Sequence, residues 1–313
     1  MTVCPVLETV STLTSYGKAT VGQGRGKKSA QLYYEIHGNG PEKVVMLSGL
    51  CTPCQFWSLQ YEYLVKTGEY TVLVFDNRGM GRSGKSITYT TLDSPLELYT
   101  IPEMAYDALD LLEYLGWTST AHLVGISMGG MIALEMATRE PKRWKTIMLT
   151  STNSRNRIPT VKTAITVGKV VLAKTDSEKI ESTIDLAYPS KWLKLECDDK
   201  NFPTNRDWLS CIMHRWLGLS LEQPVHGIIG QTAACMRHYV PKKRLLALRR
   251  TGVPITIVTG TMDGVILPHY SYKLHIVLGG RLEVFVGSGH GIPQEQRERY
   301  NQLLIEHFTQ SDA

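Results

Sequence analysis

Ser127 stands at the centre of Gly125-Ile126-Ser127-Met128-Gly129, where the apolar run Ala121 to Ile126 gives way to a helical pattern from Gly130 to Arg139. A serine at a strand-to-helix corner, with glycine two residues away on each side, reads as a nucleophile elbow. The turn is too tight for a side chain at either flank, and it lifts the hydroxyl out of the sheet. Serine is a poor nucleophile near neutral pH because its hydroxyl holds its proton. It needs a base within hydrogen-bond reach, and the base needs a third group to orient it. The chain carries both partners downstream in the order Ser, Asp, His. Asp263 lies in Gly260-Thr261-Met262-Asp263-Gly264 and His290 in Gly287-Ser288-Gly289-His290-Gly291, each just past an apolar run. A lone aspartate after a strand is commonly a turn or cap residue, and eight of the 9 histidines need some other explanation. What points to acyl transfer is the three types together, in this order, at successive strand ends.

Attack on a carbonyl creates an oxyanion, which two backbone N–H groups would stabilise by several kcal/mol. Met128, directly after the nucleophile, is the expected source of one. The other is expected from Ser48-Gly49-Leu50-Cys51, the loop after the apolar run Val44 to Leu47, with Leu50 as donor and Gly49 allowing close approach. The helix that follows the elbow turns its positive end toward the same point.

These groups converge only if the strands run parallel. Val44 to Leu47, Thr71 to Phe75, Ala121 to Ile126 and Trp144 to Leu149 read as strands. Between them Phe56 to Val65 reads as helical, and Met104, Ala108, Leu111, Leu112 and Leu115 recur at helical spacing over Pro102 to Leu115, after a Thr100 cap and before Gly116. This alternation predicts an α/β core in which parallel strands are joined by crossover helices and bring their carboxyl ends to one edge. Gln31 to Ile36 is expected to add an antiparallel strand at the edge. The alternation stops at about Asn153, and helical segments dominate to Thr251. It resumes with a strand at Pro254 to Thr259, a helix at Pro268 to Leu278, a strand at Arg281 to Val286 and a helix at Pro293 to Phe308. The expected organisation is therefore a core of residues 1–152 and 252–313 with an inserted helical cap, or lid, of residues 153–251. Trp192, Trp208 and Trp216 of the cap, with Met213 and His214, are candidate lining of an acyl pocket, as are Cys51 and Val265 in the core loops. Packing of the cap is the competing account of the tryptophans.

The 313 residues are 42% hydrophobic and 20% charged with a net charge of +5, which suits a globular protein and is too mild for nucleic acid. The densest basic run, Lys242, Lys243, Arg244, Arg249 and Arg250, reads as a solvated helix face. No apolar run approaches the ~20 residues that span a bilayer, and the first residues lack the pattern of a secretory signal. A cytoplasmic location is the expectation. The six cysteines, Cys4, Cys51, Cys54, Cys197, Cys211 and Cys235, make no disulfide framework. Cys51 and Cys54 form a C-x-x-C with no second pair to complete a zinc site, so two reduced thiols are expected there. Gly79-Met80-Gly81-Arg82-Ser83-Gly84 has the G-x-G-x-x-G spacing, but the polar stretch Lys85 to Thr91 follows where a dinucleotide site needs a helix. It is expected to be a tight turn tied down by Asp76 and Arg78. The glycine-rich stretch from Gly22 to Ser29 misses phosphate-loop spacing and is expected to be a turn.

Gly125-Ile126-Ser127-Met128-Gly129-Gly130-Met131, with Asp76-Asn77-Arg78-Gly79-Met80-Gly81-Arg82-Ser83 upstream, resembles the α/β-hydrolase superfamily. The branch it is most similar to holds 3-oxoadipate enol-lactonases, cofactor-free haloperoxidases and related esterases. The resemblance implies a Ser127-Asp263-His290 triad, an eight-stranded sheet, a helical cap and no cofactor or metal. The chain departs from many relatives in having Ser48-Gly49 where they have His-Gly. Serine at the elbow argues against epoxide hydrolases and haloalkane dehalogenases, which use aspartate there. Gly291-Ile292 after the histidine differs from the tryptophan common in the carbon–carbon bond hydrolases. The expected activity is hydrolysis of a small to medium, largely apolar carboxylic ester or lactone through an acyl-enzyme. An acyltransferase or perhydrolase would use the same triad, and a ligand receptor on this scaffold is a further alternative.

Overall fold

Strand formation follows the β-branched and aromatic runs closely, with one exception at the start of the chain. The computed structural model describes residues 11–25, 29–86, 98–155, 161–219 and 225–312. Two antiparallel strands come first, β1 (Leu13–Val21) and β2 (Ala30–His37), in register from Leu13 opposite His37 to Val21 opposite Ala30. The strand expected at the edge is therefore not the edge: β2 lies between β1 and β4 (Tyr70–Phe75). In β1 only Ala19 and Val21 are buried, so it lacks the apolar alternation that betrays a strand, and its backbone pairing to β2 is what holds it. The glycine-rich stretch after Val21 joins this hairpin; its residues 26–28 lie outside the described ones.

The remaining strands are β3 (Glu42–Leu47), β5 (Ala121–Ile126), β6 (Trp144–Thr150), β7 (Ile255–Gly260) and β8 (Arg281–Phe285). They complete an eight-stranded sheet in the order β1-β2-β4-β3-β5-β6-β7-β8, parallel from β4 onward. A sheet covered on both faces needs apolar side chains on both, which is why its inner strands carry apolar runs such as residues 44–47 and 72–75. In β3, Val45 and Leu47 enter one core cluster while Val44 and Met46 enter the other. The first cluster is closed by α2 (Ile101–Tyr114) and α3 (Met128–Arg139), the second by residues of α1 (Ser58–Lys66) and of the last helix. Helix α2 begins with a capping box, in which the Thr100 side chain accepts from Glu103 N–H and the Glu103 carboxylate accepts from Thr100 N–H. It ends at Gly116, whose φ is 67°.

Between β6 and β7 the chain is helical: α4 (Val161–Leu172), α5 (Asp176–Ala187), α6 (Ser190–Leu193), α7 (Asn205–Leu219), α8 (Val225–Met236) and α9 (Lys242–Arg249). The part of it from α4 to α8 departs and returns at one seam, before α9 begins. Arg155 pairs antiparallel with Tyr239, and Val240 N–H donates to Ser154 O at 2.7 Å. After β7 come α10 (Pro268–Leu278) and, past β8, two helices in place of the single one expected from Pro293 to Phe308: α11 (Ile292–Glu295) and α12 (Arg297–Phe308). They are separated at Gln296, whose backbone (φ −124°, ψ 46°) is not helical. The break sits beside Glu295, whose carboxylate reaches back to the Gly289 N–H at 2.8 Å.

Candidate active site

Strand β5 ends at Ile126 and α3 begins at Met128, leaving Ser127 as the whole turn, at φ 54° and ψ −120°. A non-glycine residue held in such a region costs on the order of 1–3 kcal/mol. The two flanking glycines make the turn possible. A Cβ at position 125 would lie 2.5 Å from Gly129 O, and one at position 129 would lie 2.1 Å from Leu47 O. Ser127 O accepts from Met131 N–H at 3.1 Å and from Thr152 Oγ1 at 2.7 Å. Its hydroxyl makes no cap bond to α3 and has no hydrogen-bond partner among the described residues.

Asp263 and His290 meet at the same edge of the sheet. Met262 N–H donates to Ser288 O at 2.8 Å, which fastens the loop after β7 to the loop after β8. His290 Nδ1 lies 2.9 Å from Asp263 Oδ2. A carboxylate only accepts, so Nδ1 carries the proton and Nε2 is left to take one. The other carboxylate oxygen, Oδ1, accepts from Val265 N–H at 2.8 Å and Ile266 N–H at 2.9 Å, which fixes the rotamer. The Asp263 side chain is wholly buried and that of His290 is 13% exposed. The Asp263–His290 hydrogen bond is thus formed. The Ser127–His290 hydrogen bond is not, and such bonds commonly tighten only around a reacting group.

Two groups behind His290 were not foreseen in the sequence. Ala187 O, at the end of α5, accepts from His290 N–H at 2.7 Å. Glu295 accepts from Gly289 N–H, and burial pushes its carboxyl up to about 7, with the Asp263 charge adding to the rise and Gly289 N–H and Ser288 opposing it. The only sequence trace of either is an acidic residue five positions after the histidine.

The loop after β3 lies against the elbow, with a Cβ at Gly49 falling 3.4 Å from Ser127 Cβ. Leu50 N–H and Met128 N–H donate to no acceptor among the described residues. The next donor along, Cys51 N–H, is taken by Gln231 Oε1 at 2.8 Å, and Ser48 O accepts from Asn77 Nδ2 at 3.2 Å. Among the described residues, the non-glycine ones with positive φ are Cys51 (51°), Ser127 (54°) and Ser151 (46°). They follow β3, β5 and β6, which are adjacent in the sheet. Backbone strain is therefore concentrated at the carboxyl edge where the uncommitted hydroxyl and N–H groups sit. This edge can accept an electrophilic carbon at Ser127 and a developing negative charge at two backbone donors.

The residues expected to line a pocket are dispersed. Cys51 and Val265 stand at the site, Cys51 in the donor loop and Val265 through its N–H on Asp263. Trp208 and Trp216 are buried in the second core cluster, Trp216 with its ring centroid 5.8 Å from that of Phe56, and Met213 packs against the same cluster. Trp192 stacks on Tyr188 at 5.6 Å. His214 is exposed, with Nε2 3.1 Å from Ser177 Oγ and Nδ1 2.7 Å from Ser210 O. Packing, the competing account, describes the tryptophans of α7.

The other motifs resolve as structure. Cys54 is fully buried, burial raises its thiol well above the ordinary range, and the Cys51 thiol is pushed up to about 12 for the same reason, with Cys235 adding to it. Cys51, Cys54, Cys197 and Cys235 are free thiols, while Cys211 is disulfide-bonded; Cys4 lies outside the described residues. The glycine-rich loop after β4 turns tightly into a short helical turn, Gly81–Ser86. Asp76 accepts there from Cys54 N–H at 2.8 Å and Arg82 N–H at 2.9 Å, and Arg78 grips Asp107 through Nε at 2.7 Å and Nη2 at 2.9 Å. The stretch read as loop from Lys85 to Thr91 lies mostly outside the described residues. The basic run forms α9, where Arg244 Nη2 pairs with buried Glu135 of α3 at 2.8 Å, so that one of its charges is engaged with the core. Among the described residues, no helix is long and apolar enough to cross a membrane, and no group of three or more metal-ligating side chains is assembled.

Residues 42–184 match the family model of the alpha/beta hydrolase fold. A protein of Variovorax paradoxus named "Putative carbamate hydrolase RutD" is 35% identical over 125 residues, covering 40% of this chain and 43% of that protein. The chain spans about half the length of the curated relatives it matches, 43% and 57% for two of them. A thermophilic esterase from Thermogutta terrifontis superposes with a TM-score of 0.74 at 22% identity, covering 96% of this chain and all of the other. The enol-lactonase of Burkholderia xenovorans gives 0.71 at 20% identity, covering 94% of this chain and 100% of its own. Taken with the strand order, these likenesses show that the chain has the α/β-hydrolase fold.

Proposed function

We propose that this chain is a serine hydrolase that cleaves a carboxylic ester or lactone through an acyl-enzyme. The observation that carries the reading is an uncommitted hydroxyl on a strained turn, at the same sheet edge as an Asp263–His290 pair and two unused backbone donors. In this reading Ser127 Oγ attacks the carbonyl carbon as its proton passes to His290 Nε2. The resulting oxyanion is held by Leu50 N–H and Met128 N–H. As the intermediate collapses, the bond to the leaving alcohol breaks and His290 protonates that alcohol. Water then attacks the acyl carbon, giving its proton to Nε2, and the acid departs as Ser127 regains its hydrogen. Asp263 keeps the imidazole in the right tautomer and stabilises its cationic form. Residues 153–251 act as a cap, and the cap frames the acyl side of the site.

Labelling with a fluorophosphonate tests the nucleophile directly. Wild type should be modified at Ser127 and the Ser127→Ala variant should not; labelling that persists in the variant excludes this serine. A panel of p-nitrophenyl esters, lactones and carbamates then ranks substrate classes. Carbamate cleavage is the second reading, favoured by the name that these relatives carry, putative carbamate hydrolase. It uses the same steps with a carbamate carbonyl in place of the ester. Carbamate turnover well above ester turnover would make it the first.

A further inference from the structure

We propose that Gln231, a buried side chain of the helical insertion, is a positioning residue that aims the Leu50 N–H at the developing oxyanion; this rests on the acyl-enzyme reading above. The Leu50 N–H belongs to the peptide plane between Gly49 and Leu50. The plane before it carries Ser48 O, which accepts from Asn77 Nδ2 at 3.2 Å. The plane after it carries Cys51 N–H, which donates to Gln231 Oε1 at 2.8 Å. Both planes that flank the donor are therefore clamped by side-chain amides, and the donor between them has little freedom to rotate. Cys51 is held at φ 51°, a region that persists in a non-glycine residue only where its surroundings enforce it. Gln231 supplies that enforcement from a residue 180 positions away in the chain.

The amide is itself anchored at both ends. Its Nε2 donates to Arg78 O at 3.0 Å, and the side chain is 1% exposed. Tyr99 OH donates to the same Arg78 carbonyl at 3.1 Å, and Arg237 Nη2 of the segment after α8 donates to Tyr99 O at 2.7 Å. The helix reaches this depth because the face that carries Gln231 also carries glycine. A Cβ at Gly227 would lie 1.8 Å from Gly79 O, and one at Gly230 would lie 2.7 Å from the Tyr99 ring. Helix α8 is thus a fixed wall of the site, and its contribution is made through hydrogen-bond direction.

Replacing Gln231 with Leu should lower kcat for p-nitrophenyl acetate by about 10- to 100-fold with KM within about threefold, the pattern of a misaimed transition-state donor. Affinity for a trifluoromethyl ketone, whose adduct with Ser127 bears an oxyanion, should fall by the same factor as kcat. Gln231→Glu supplies a second measurement if Leu prevents folding. Its ionised carboxylate repels Arg78 O, whereas the protonated form donates to that carbonyl and accepts from Cys51 N–H as the amide does. The activity of Gln231→Glu relative to wild type should therefore rise as pH falls. Wild-type labelling by fluorophosphonate, together with unchanged kcat and ketone affinity in Gln231→Leu, would leave the acyl-enzyme reading standing and overturn the role of Gln231. A flat pH ratio for Gln231→Glu, or a loss of kcat matched by loss of titratable Ser127, would also overturn it. Wild type that is not labelled would overturn both.

Discussion

Two buried polar clusters flank β3 and β4, and they differ in how completely their groups are used. Around β2, Glu35 Oε1 accepts from Tyr33 OH at 2.8 Å and Gln55 Nε2 at 2.9 Å and pairs with Arg82 at 3.1 Å, while Oε2 faces His37 Nε2 at 3.3 Å. Thr12 meets the far nitrogen of His37 at 2.9 Å, Tyr61 stacks on its ring at 3.7 Å, and the Arg82 guanidinium lies 3.6 Å over Tyr33. Burial alone would raise the Glu35 carboxyl, but His37, Tyr33 and Arg82 outweigh it and hold it below the ordinary carboxylate range. Every charged side chain there meets an opposite one within the protein, although the buried Gln55 Oε1 and Arg82 Nε atoms make no hydrogen bond. At the carboxyl edge of β3, β5 and β6 the Asp263 carboxylate and the Ser48 carbonyl are paired, yet the Ser127 hydroxyl, the Leu50 and Met128 N–H groups and the buried Ser151 hydroxyl are left open. Paired charge builds scaffold. Capacity left unspent, on backbone held under strain, is what a reacting carbonyl can use.

That contrast can be broken most decisively at the open cluster. Ser127→Ala should reduce ester turnover by about 10⁴-fold or more with little change in Tm, and a variant with most of its rate intact would end the distinction. Asp263→Asn should cost about 10³- to 10⁴-fold in kcat, since the amide favours the wrong imidazole tautomer, again with the fold retained by circular dichroism. The charge-paired cluster should behave in the opposite sense. Glu35→Ala, which strands Arg82 and His37, should lose about 3–5 kcal/mol in urea unfolding while kcat per folded molecule stays near wild type. A catalytic defect without a stability defect would show the two clusters to be one.

The smallest effect belongs to Glu295, which lies between the two behaviours: paired with Gly289 N–H, yet titrating near neutrality. Its carboxyl stands at about 7 in the folded protein against an ordinary value of 4.5, so the native state retains a proton over that interval which the unfolded chain releases. Stability from this group is therefore present below about 4.5 and is lost as pH rises toward about 7. Glu295→Gln keeps an acceptor for Gly289 N–H and does not titrate. Its Tm should match wild type near pH 4 and exceed it at pH 8 by an amount equivalent to about 1–3 kcal/mol. A difference independent of pH would remove Glu295 from the titration.

How much of this was legible depends on range. Strands β3 to β8 carry their own signal in apolar runs, and Thr100 with Glu103 announces α2 locally, so the parallel sheet could be read directly. The turn at Ser127 could be read because Gly125 and Gly129 leave a trace of the conformation they permit, and Asp263 and His290 could be placed at one sheet edge because both follow strands. Strand β1 could not, since Leu13–Val21 is mostly exposed and owes its conformation to a partner strand. Nor could Gln231, Ala187 or Asn77, whose work is done on residues far away in the chain and whose types are unremarkable. The cap tryptophans pose a related problem: Trp208 or Trp216 has the same composition in a core as in a binding wall, and the sequence does not distinguish the two.

The single seam at Ser154–Tyr239–Val240, where the insertion departs and comes back, has a consequence for exchange. A segment attached at one point can be swapped for another without rethreading any strand of the sheet, so lineages and protein engineers alike can alter it while leaving the sheet alone. The transplant would not be free of conditions. Any replacement has to bring an oxygen for the His290 amide, now given by Ala187, and an amide for Cys51, now given by Gln231. A graft chosen for selectivity alone would arrive with the machinery beneath it out of true.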